Sequence, residues 1–397
     1  MAAMRSSGSD WRRVALAMFA VGWGANQFTA MLLAYRDELG TSTQVRAVLF
    51  GVYAAGLVPA LLVGGAASDR WGRRAVVLPA VVASPLATLL LVLERSSPGL
   101  AAGRLLAGVC SGIVFAAASA WVAELSVDEA PGTAARRAAV ALSAGFGVGP
   151  LVTGLVAQWS PAPLVVPYVP HLVLGVVAVV LLWPVPGPAP ARTGPRPPLL
   201  RVPAVTRSRR FVLAVAPSAP WVFATAAISF AYLPAELTGP QPGALAFTGV
   251  LSGLTLGAGV LVQPLARRLD ERRVLLAGQV GLLLAVLGCG LGVVVLELDA
   301  RLLLLVAGPV LGAGYGCVLV SGLRETERLA APAERGATVA VFYALTYLGF
   351  AAPYLLGAIG GGTTALVVAL VVAVASLAVV TLGRRVPAPG AGAVSGG

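Results

Sequence analysis

Lysine is absent from this 397-residue chain and histidine occurs once, at His171. All 28 basic residues are arginine, set against 16 carboxylates, and charged residues make up only 11% of the whole. A soluble domain carries roughly 25%, so this scarcity argues against an ordinary soluble fold. Cysteine is also rare. Cys110, Cys289 and Cys317 all fall inside apolar stretches, which leaves no loop thiols for a disulfide framework or for metal-ligand spacing; they read as small buried hydrophobes. One histidine and no paired-acid loop count against an integral-membrane prenyl or acyl transferase, whose metal-diphosphate or acyl chemistry needs such groups near the interface. The missing lysines, together with abundant Ala, Gly, Val and Leu, follow a GC-rich coding bias. The net charge of +12 does not point to nucleic acid, because the arginines are scattered through short loops rather than gathered on one domain.

What is present is apolar sequence in long runs. Hydrophobic residues make up 58% of the chain and the mean hydropathy is +0.89. A membrane-crossing helix needs about 20 mostly apolar residues. Such spans lie near 11–33, 44–67, 75–93, 100–123, 136–158 and 163–184, and again near 211–235, 243–266, 274–296, 302–323, 336–358 and 361–382. The expected fold is therefore an all-α integral membrane protein of about twelve transmembrane helices. It divides into a six-helix bundle over 1–184, a Pro- and Arg-rich linker over 185–210, a second bundle over 211–383 and a low-complexity, disordered tail over 384–397. The first apolar stretch is too long, and too directly followed by others, for a cleaved signal peptide. Arginine asymmetry sets the orientation: 23 fall on one face, while Arg36, Arg46, Arg95, Arg104 and Arg301 fall on the other. The positive-inside rule then puts both termini and the linker in the cytoplasm. Arg301 follows Arg104, Arg268 follows Arg70 and Arg335 follows Arg136 by 197, 198 and 199 residues. Three markers at nearly one offset imply a duplicated six-span unit, the plan of a transporter with its substrate path between halves. In the second copy, Arg267 stands where Asp69 does, and Asp270 where Gly72 does.

Three motifs carry chemistry. Between the second and third spans stands Gly65-x-x-x-Asp69-Arg70-x-Gly72-Arg73-Arg74, a carboxylate, a turn glycine and guanidiniums in a loop able to pin helix ends and release them. The fourth span opens with Arg104-x-x-x-Gly108, and the fifth carries Gly145-x-x-x-Gly149-Pro150-x-x-Thr153-Gly154. The loop resembles that between helices 2 and 3 of the major facilitator superfamily. The second motif matches that superfamily's R-x-x-x-G element, and the third is similar to the signature of its proton-coupled antiporters, with Thr153 in place of one glycine. The resemblance implies the two-bundle, pseudo-symmetric major facilitator fold, a conformational-switch role for the loop, and a leak-limiting bend at Pro150. It also implies that Arg104 orders a proton relay or binds an anionic group, although Arg104 lies near enough to the end of its span to snorkel.

No carboxylate lies at the middle of a span. Asp37 and Glu236 read first as solvated helix-end charges and are the least implausible acids for a proton site; His171 reads as a proton carrier or as a hydrogen-bonded interfacial residue. Trp23, Asn26, Gln27, Tyr53, Tyr232, Tyr343 and Tyr347 are candidates to line a substrate cavity. Tyr343 and Tyr347 are four apart and share a helix face. Aromatic faces with uncharged hydrogen bonders suit an amphipathic, largely neutral ligand. These readings converge on a monomeric secondary transporter of the plasma (inner) membrane. It would be driven by a proton gradient, without metal or cofactor, and would export a small amphipathic drug or metabolite by alternating access. Uptake by symport or facilitated diffusion is the alternative.

Overall fold

The computed structural model describes residues 9–127, 129, 133–187, 202–237, 242–331 and 334–387. The linker over 188–201 and the tail beyond 387 lie outside the described residues. Everything regular among those described is helical. Two compact units form: Met1–Arg201 with Gly243–Gly253, and Val202–Pro242 with Leu254–Gly397.

The first unit contains α1 (Asp10–Leu39), α2 (Thr43–Trp71), α3 (Arg73–Leu93), α4 (Ser97–Glu124), α5 (Thr133–Trp159) and α6 (Val169–Leu182). Local chemistry sets the turns. Gly40, at φ 62°, closes α1 in the left-handed region that favours glycine. The hydroxyls of Ser42 and Ser96 accept from the backbone N–H groups of Val45 and Gly99, capping α2 and α4. Gly72, at φ 94°, makes the one-residue break between α2 and α3. Such short connections fold successive helices back antiparallel. Helix α1 is buried almost all round, as expected of a helix enclosed by its neighbours, whereas α6 turns Val173, Val176 and Val180 outward. Helices α2 and α4 approach to backbone contact. A Cβ on Gly108 would stand 2.1 Å from the Tyr53 carbonyl oxygen, and one on Gly112 2.4 Å from that of Leu57.

The second unit holds α7 (Arg209–Ala214), α8 (Trp221–Ala227), α9 (Leu233–Glu236), the latter part of α10 (Ala244–Leu261), α11 (Gln263–Arg272), α12 (Leu276–Glu297), α13 (Leu304–Leu329), α14 (Arg335–Tyr347), α15 (Ala352–Ala358) and α16 (Gly362–Gly383). Ten helical segments among the described residues are long and apolar enough to cross a membrane, and Val166–Leu182 is a shorter apolar one. The remaining segment differs from expectation. The continuous span read at 211–235 is broken into α7, α8, a π-turn over Ile228–Tyr232, and α9. Pro217, Pro220 and Pro234 each remove a backbone donor. Before Pro234, the Leu233 N–H reaches back five residues to the Ile228 carbonyl, widening the turn.

Candidate functional site

The charged loop is a knot of hydrogen bonds around Arg73. Its guanidinium pairs with Asp69 one turn back in sequence, donates to the Ser68 hydroxyl, and reaches the Glu124 carboxylate at the end of α4 at 2.9 Å. Ser68 in turn donates to the Gly65 carbonyl at 2.8 Å. Arg73 therefore ties the ends of α2, α3 and α4 together, with charge-assisted bonds on two sides. Asp69 is 56% exposed, so the acid sits on the outside of the knot. Arg74 faces another way and donates to the Trp183 carbonyl at 2.8 Å. Neither Glu124 nor Ser68 is singled out by the sequence motifs, and the partnership of Glu124 with Arg73 depends on a fold-back over 51 residues.

Arg104 does not snorkel. It is 2% exposed and turns into the bundle, donating to the Ala25 carbonyl at 3.0 Å and the Leu49 carbonyl at 3.3 Å. The rings of Phe28 and Tyr53 lie 4.5 and 4.6 Å from the guanidinium carbon. The charge is thus held by two carbonyl dipoles and two aromatic faces. Tyr53, expected to line a cavity, is one wall of this box, and Gly108 supplies the room, because its own contact is with the Tyr53 backbone. Phe28 carried no signal in the sequence.

His171 is fully buried in a hydrogen-bonded chain. Gln27 Nε2 donates to the Thr88 hydroxyl, Thr88 lies 2.8 Å from His171 Nδ1, and His171 Nε2 lies 3.1 Å from the Ala20 carbonyl. A neutral ring satisfies this chain by accepting from Thr88 at Nδ1 and donating to the Ala20 carbonyl at Nε2. Gly24 makes space for the ring, since a Cβ there would stand 2.5 Å from Nε2. His171 and Gln27 thereby lock α1, α3 and α6 together. Trp23 and Asn26 are buried on α1 as well.

The acids named as proton candidates separate. Asp37 is exposed and pairs with Arg36 at 2.7 Å. Glu236 is not simply solvated: its Oε2 accepts from the Gly362 N–H at 2.7 Å and caps α16, beside Tyr232, whose hydroxyl donates to the Gly362 carbonyl. Tyr347 stacks on Phe223 with centroids 4.6 Å apart, in a cluster with Phe350 and Tyr315; Tyr343 is half-buried and lies beside Phe342 instead. In α5, a Cβ on Gly145 would meet the Phe19 carbonyl at 2.3 Å and one on Gly149 the Trp23 carbonyl at 2.8 Å, both on α1. Gly154 meets the Leu245 carbonyl at 2.6 Å, and Gly249 meets that of Pro150 at 2.8 Å. The Pro150 segment is accordingly gripped by α1 on one side and by the start of α10 on the other.

The internal repeat is real in packing but its register differs from the arginine spacing. Gly312 and Gly316 of α13 pack on the carbonyls of Thr255 and Gly259 as Gly108 and Gly112 of α4 pack on those of Tyr53 and Leu57. The offsets are 204 for the glycines and 202 for their partners, so Arg104 corresponds to Gly308, and Arg301, which donates to the Pro242 carbonyl, is not its counterpart. On the same register Glu271, not Arg267, answers to Asp69. Glu271 pairs with Arg324 of α13 at 3.4 Å, so the ion pair joining loop to helix end is present with its polarity reversed. Asp270 is buried and accepts from the Ala277 N–H at the start of α12 and from the Ser321 hydroxyl. A buried ion pair, Arg210 with Glu325 at 2.7 Å, ties α7 to α13.

Ten long apolar helices, one shorter one and a broken segment among the described residues, in two units with charged knots between helix ends, are the build of a polytopic membrane transporter rather than an enzyme. The chain belongs to the Major Facilitator Superfamily, whose profile matches residues 14–351. Among curated proteins none matches in sequence. Solved structures share the fold at low identity. The nucleoside transporter NupG superposes with a TM-score of 0.77 at 11% identity, covering 95% of this chain and 99% of that one. A peptide transporter of the POT type, in complex with alafosfalin, gives 0.76 at 15%, with 95% of each chain covered. A bacterial homolog of the human lysosomal transporter Spinster, inward-facing and occupied, gives 0.72 at 14%, with 94% and 96% covered.

Proposed function

We propose that this transporter exports a small amphipathic drug or metabolite across the plasma membrane in exchange for protons, by alternating access. The observation that carries the reading is the two-sided grip on Pro150. Gly145, Gly149 and Gly154 bring α5 into backbone contact with two different helices around a residue that cannot donate a hydrogen bond. A segment held so closely on two sides closes a leak path for protons, which exchange requires and facilitated diffusion does not. In this reading the Asp69–Arg73–Glu124 knot restrains one conformation and is released in the other. The buried charge of Arg104 disfavours a cationic substrate nearby and suits a neutral or anionic one. Trp23, Asn26 and Tyr343 serve as candidate substrate contacts. The protein acts as a monomer with both termini cytoplasmic, an orientation supported by the 23-to-5 arginine asymmetry.

The test is flux in proteoliposomes under an imposed proton gradient. Exchange requires substrate to leave as protons enter. Substrate moving in with protons would establish symport; the engagement of Asp37 and Glu236 in a surface pair and a helix cap favours neither direction, since both need a proton carrier. Flux indifferent to the gradient would establish a facilitator.

A further inference from the structure

One seam on the outside of the first unit combines features that membrane packing alone does not require. Helices α3 and α6 lie side by side, with Gly175 against Pro85. Both turn bare aliphatic faces outward, Val82 and Leu86 on α3 and Val176 and Val180 on α6. At the end of the seam where α3 begins and α6 stops stands Trp183, 60% exposed. The Arg74 guanidinium carbon lies 5.7 Å from its ring centroid. The same arginine donates to the Trp183 carbonyl, and Gly187 lies against its stem. At the end of α2, Arg70 lies 5.5 Å from the ring of its sequence neighbour Trp71, which is 54% exposed. Among the described residues neither Arg70 nor Arg74 has a carboxylate within ion-pair distance, while the adjacent Arg73 has two.

We infer that the mouth of this seam is a binding site for an anionic glycerophospholipid of the phosphatidylglycerol type. Tryptophan at a span end seats at the headgroup level. Arginine matches a phosphodiester with paired N–H donors and is weakly hydrated enough to work there. The Arg74 side chain is held in place by its carbonyl bond and ring contact, so little further ordering is needed to engage the phosphate. Acyl chains below it would lie along the α3 and α6 aliphatic faces. A zwitterionic lipid presents the same phosphate with a tethered cation, which the Arg74 guanidinium repels. The occupant is a lipid rather than a soluble anion because the donors sit directly above an apolar track. Binding here also places a ligand one residue from Arg73, so lipid composition would bias the knot and hence turnover.

The experiment is native mass spectrometry of the full-length protein with equimolar phosphatidylglycerol and phosphatidylcholine, repeated on Arg74→Gln and Trp183→Leu. A near-surface arginine contributes about 1 kcal/mol toward an anionic lipid, or roughly fivefold. The wild type should retain phosphatidylglycerol at least about fivefold over phosphatidylcholine. Arg74→Gln should bring that ratio close to parity, and Trp183→Leu should lower it partway while leaving Arg74 in place. Should Arg74→Gln fail to fold, Trp183→Leu alone carries the test, and an unchanged lipid ratio in that variant would overturn the proposal. Equal retention of both lipids by the wild type would overturn the proposal. So would a preference that survives loss of Arg74, or full displacement of the lipid by millimolar glycerol 3-phosphate, which would make the site one for a free anion.

Discussion

Substituting Gly108 by alanine is expected to destabilise the first unit, although alanine is the better helix former. The new Cβ would stand 2.1 Å from the Tyr53 carbonyl oxygen and 3.0 Å from the Leu57 nitrogen. Ordinary carbon–oxygen contact is about 3.2 Å, so α2 and α4 must part by about 1 Å in a core packed to crystal-like density. Overpacking of this kind costs about 1–3 kcal/mol. Against it, removing a glycine from a helix interior returns up to about 1 kcal/mol. The net loss is about 0–2 kcal/mol, a fall in Tm of up to roughly 8 °C for a unit of this size. Gly51 on the facing helix α2 is the control, since nothing lies within 4 Å of a Cβ there. Gly51→Ala should raise Tm by a few degrees. The assay is thermal unfolding of the two purified variants in one detergent. Transport should fall in Gly108→Ala alone, because Tyr53 walls the Arg104 box at 4.6 Å and moves with α2. If both variants gain stability, the backbone contact between α2 and α4 is wrong.

Four further outcomes follow from the same geometry. Asp69→Asn should slow turnover strongly while leaving equilibrium substrate affinity within a few-fold, since the loop stands at helix ends; lost affinity in a folded protein would place Asp69 at the substrate. Arg104→Met should leave the protein in the membrane, because a buried charge held only by carbonyls and rings is costly to keep. Its transport should nonetheless drop at least about tenfold, about 1.4 kcal/mol of lost function, and wild-type flux would remove Arg104 from the mechanism. His171→Asn should lower Tm by breaking a satisfied buried chain, at about 1–3 kcal/mol per orphaned group, and leave the pH dependence of transport in place. A moved pH profile would return His171 to proton coupling. In intact cells a cysteine at Ser42 should react with an impermeant thiol reagent and one at Val127 should not; the reverse pattern would invert the proposed orientation.

The sequence by itself determined the membrane class and the approximate span positions, because about 20 apolar residues cannot be hidden otherwise in a chain this short of charge. It also determined the loop chemistry, since Asp69, Gly72 and Arg73 do their work within a few residues of one another. Only the tertiary structure decided where the buried polar groups point. Helical periodicity tells an inward face from an outward one by contrast in polarity, and that contrast is weak where lipid and neighbouring helices are both apolar. Arg104 therefore looked free to reach the membrane surface, yet its carbonyl partners are on α1 and α2, 79 and 55 residues away. His171 finds Thr88 across 83 residues and Ala20 across 151. The repeat was visible as spaced arginines, but its register belongs to glycines pressed against carbonyls, and the reversed ion pair of Glu271 with Arg324 appears only once that register is known. Close approach is a property of two helices at once, and neither helix's sequence states which glycine its partner will meet.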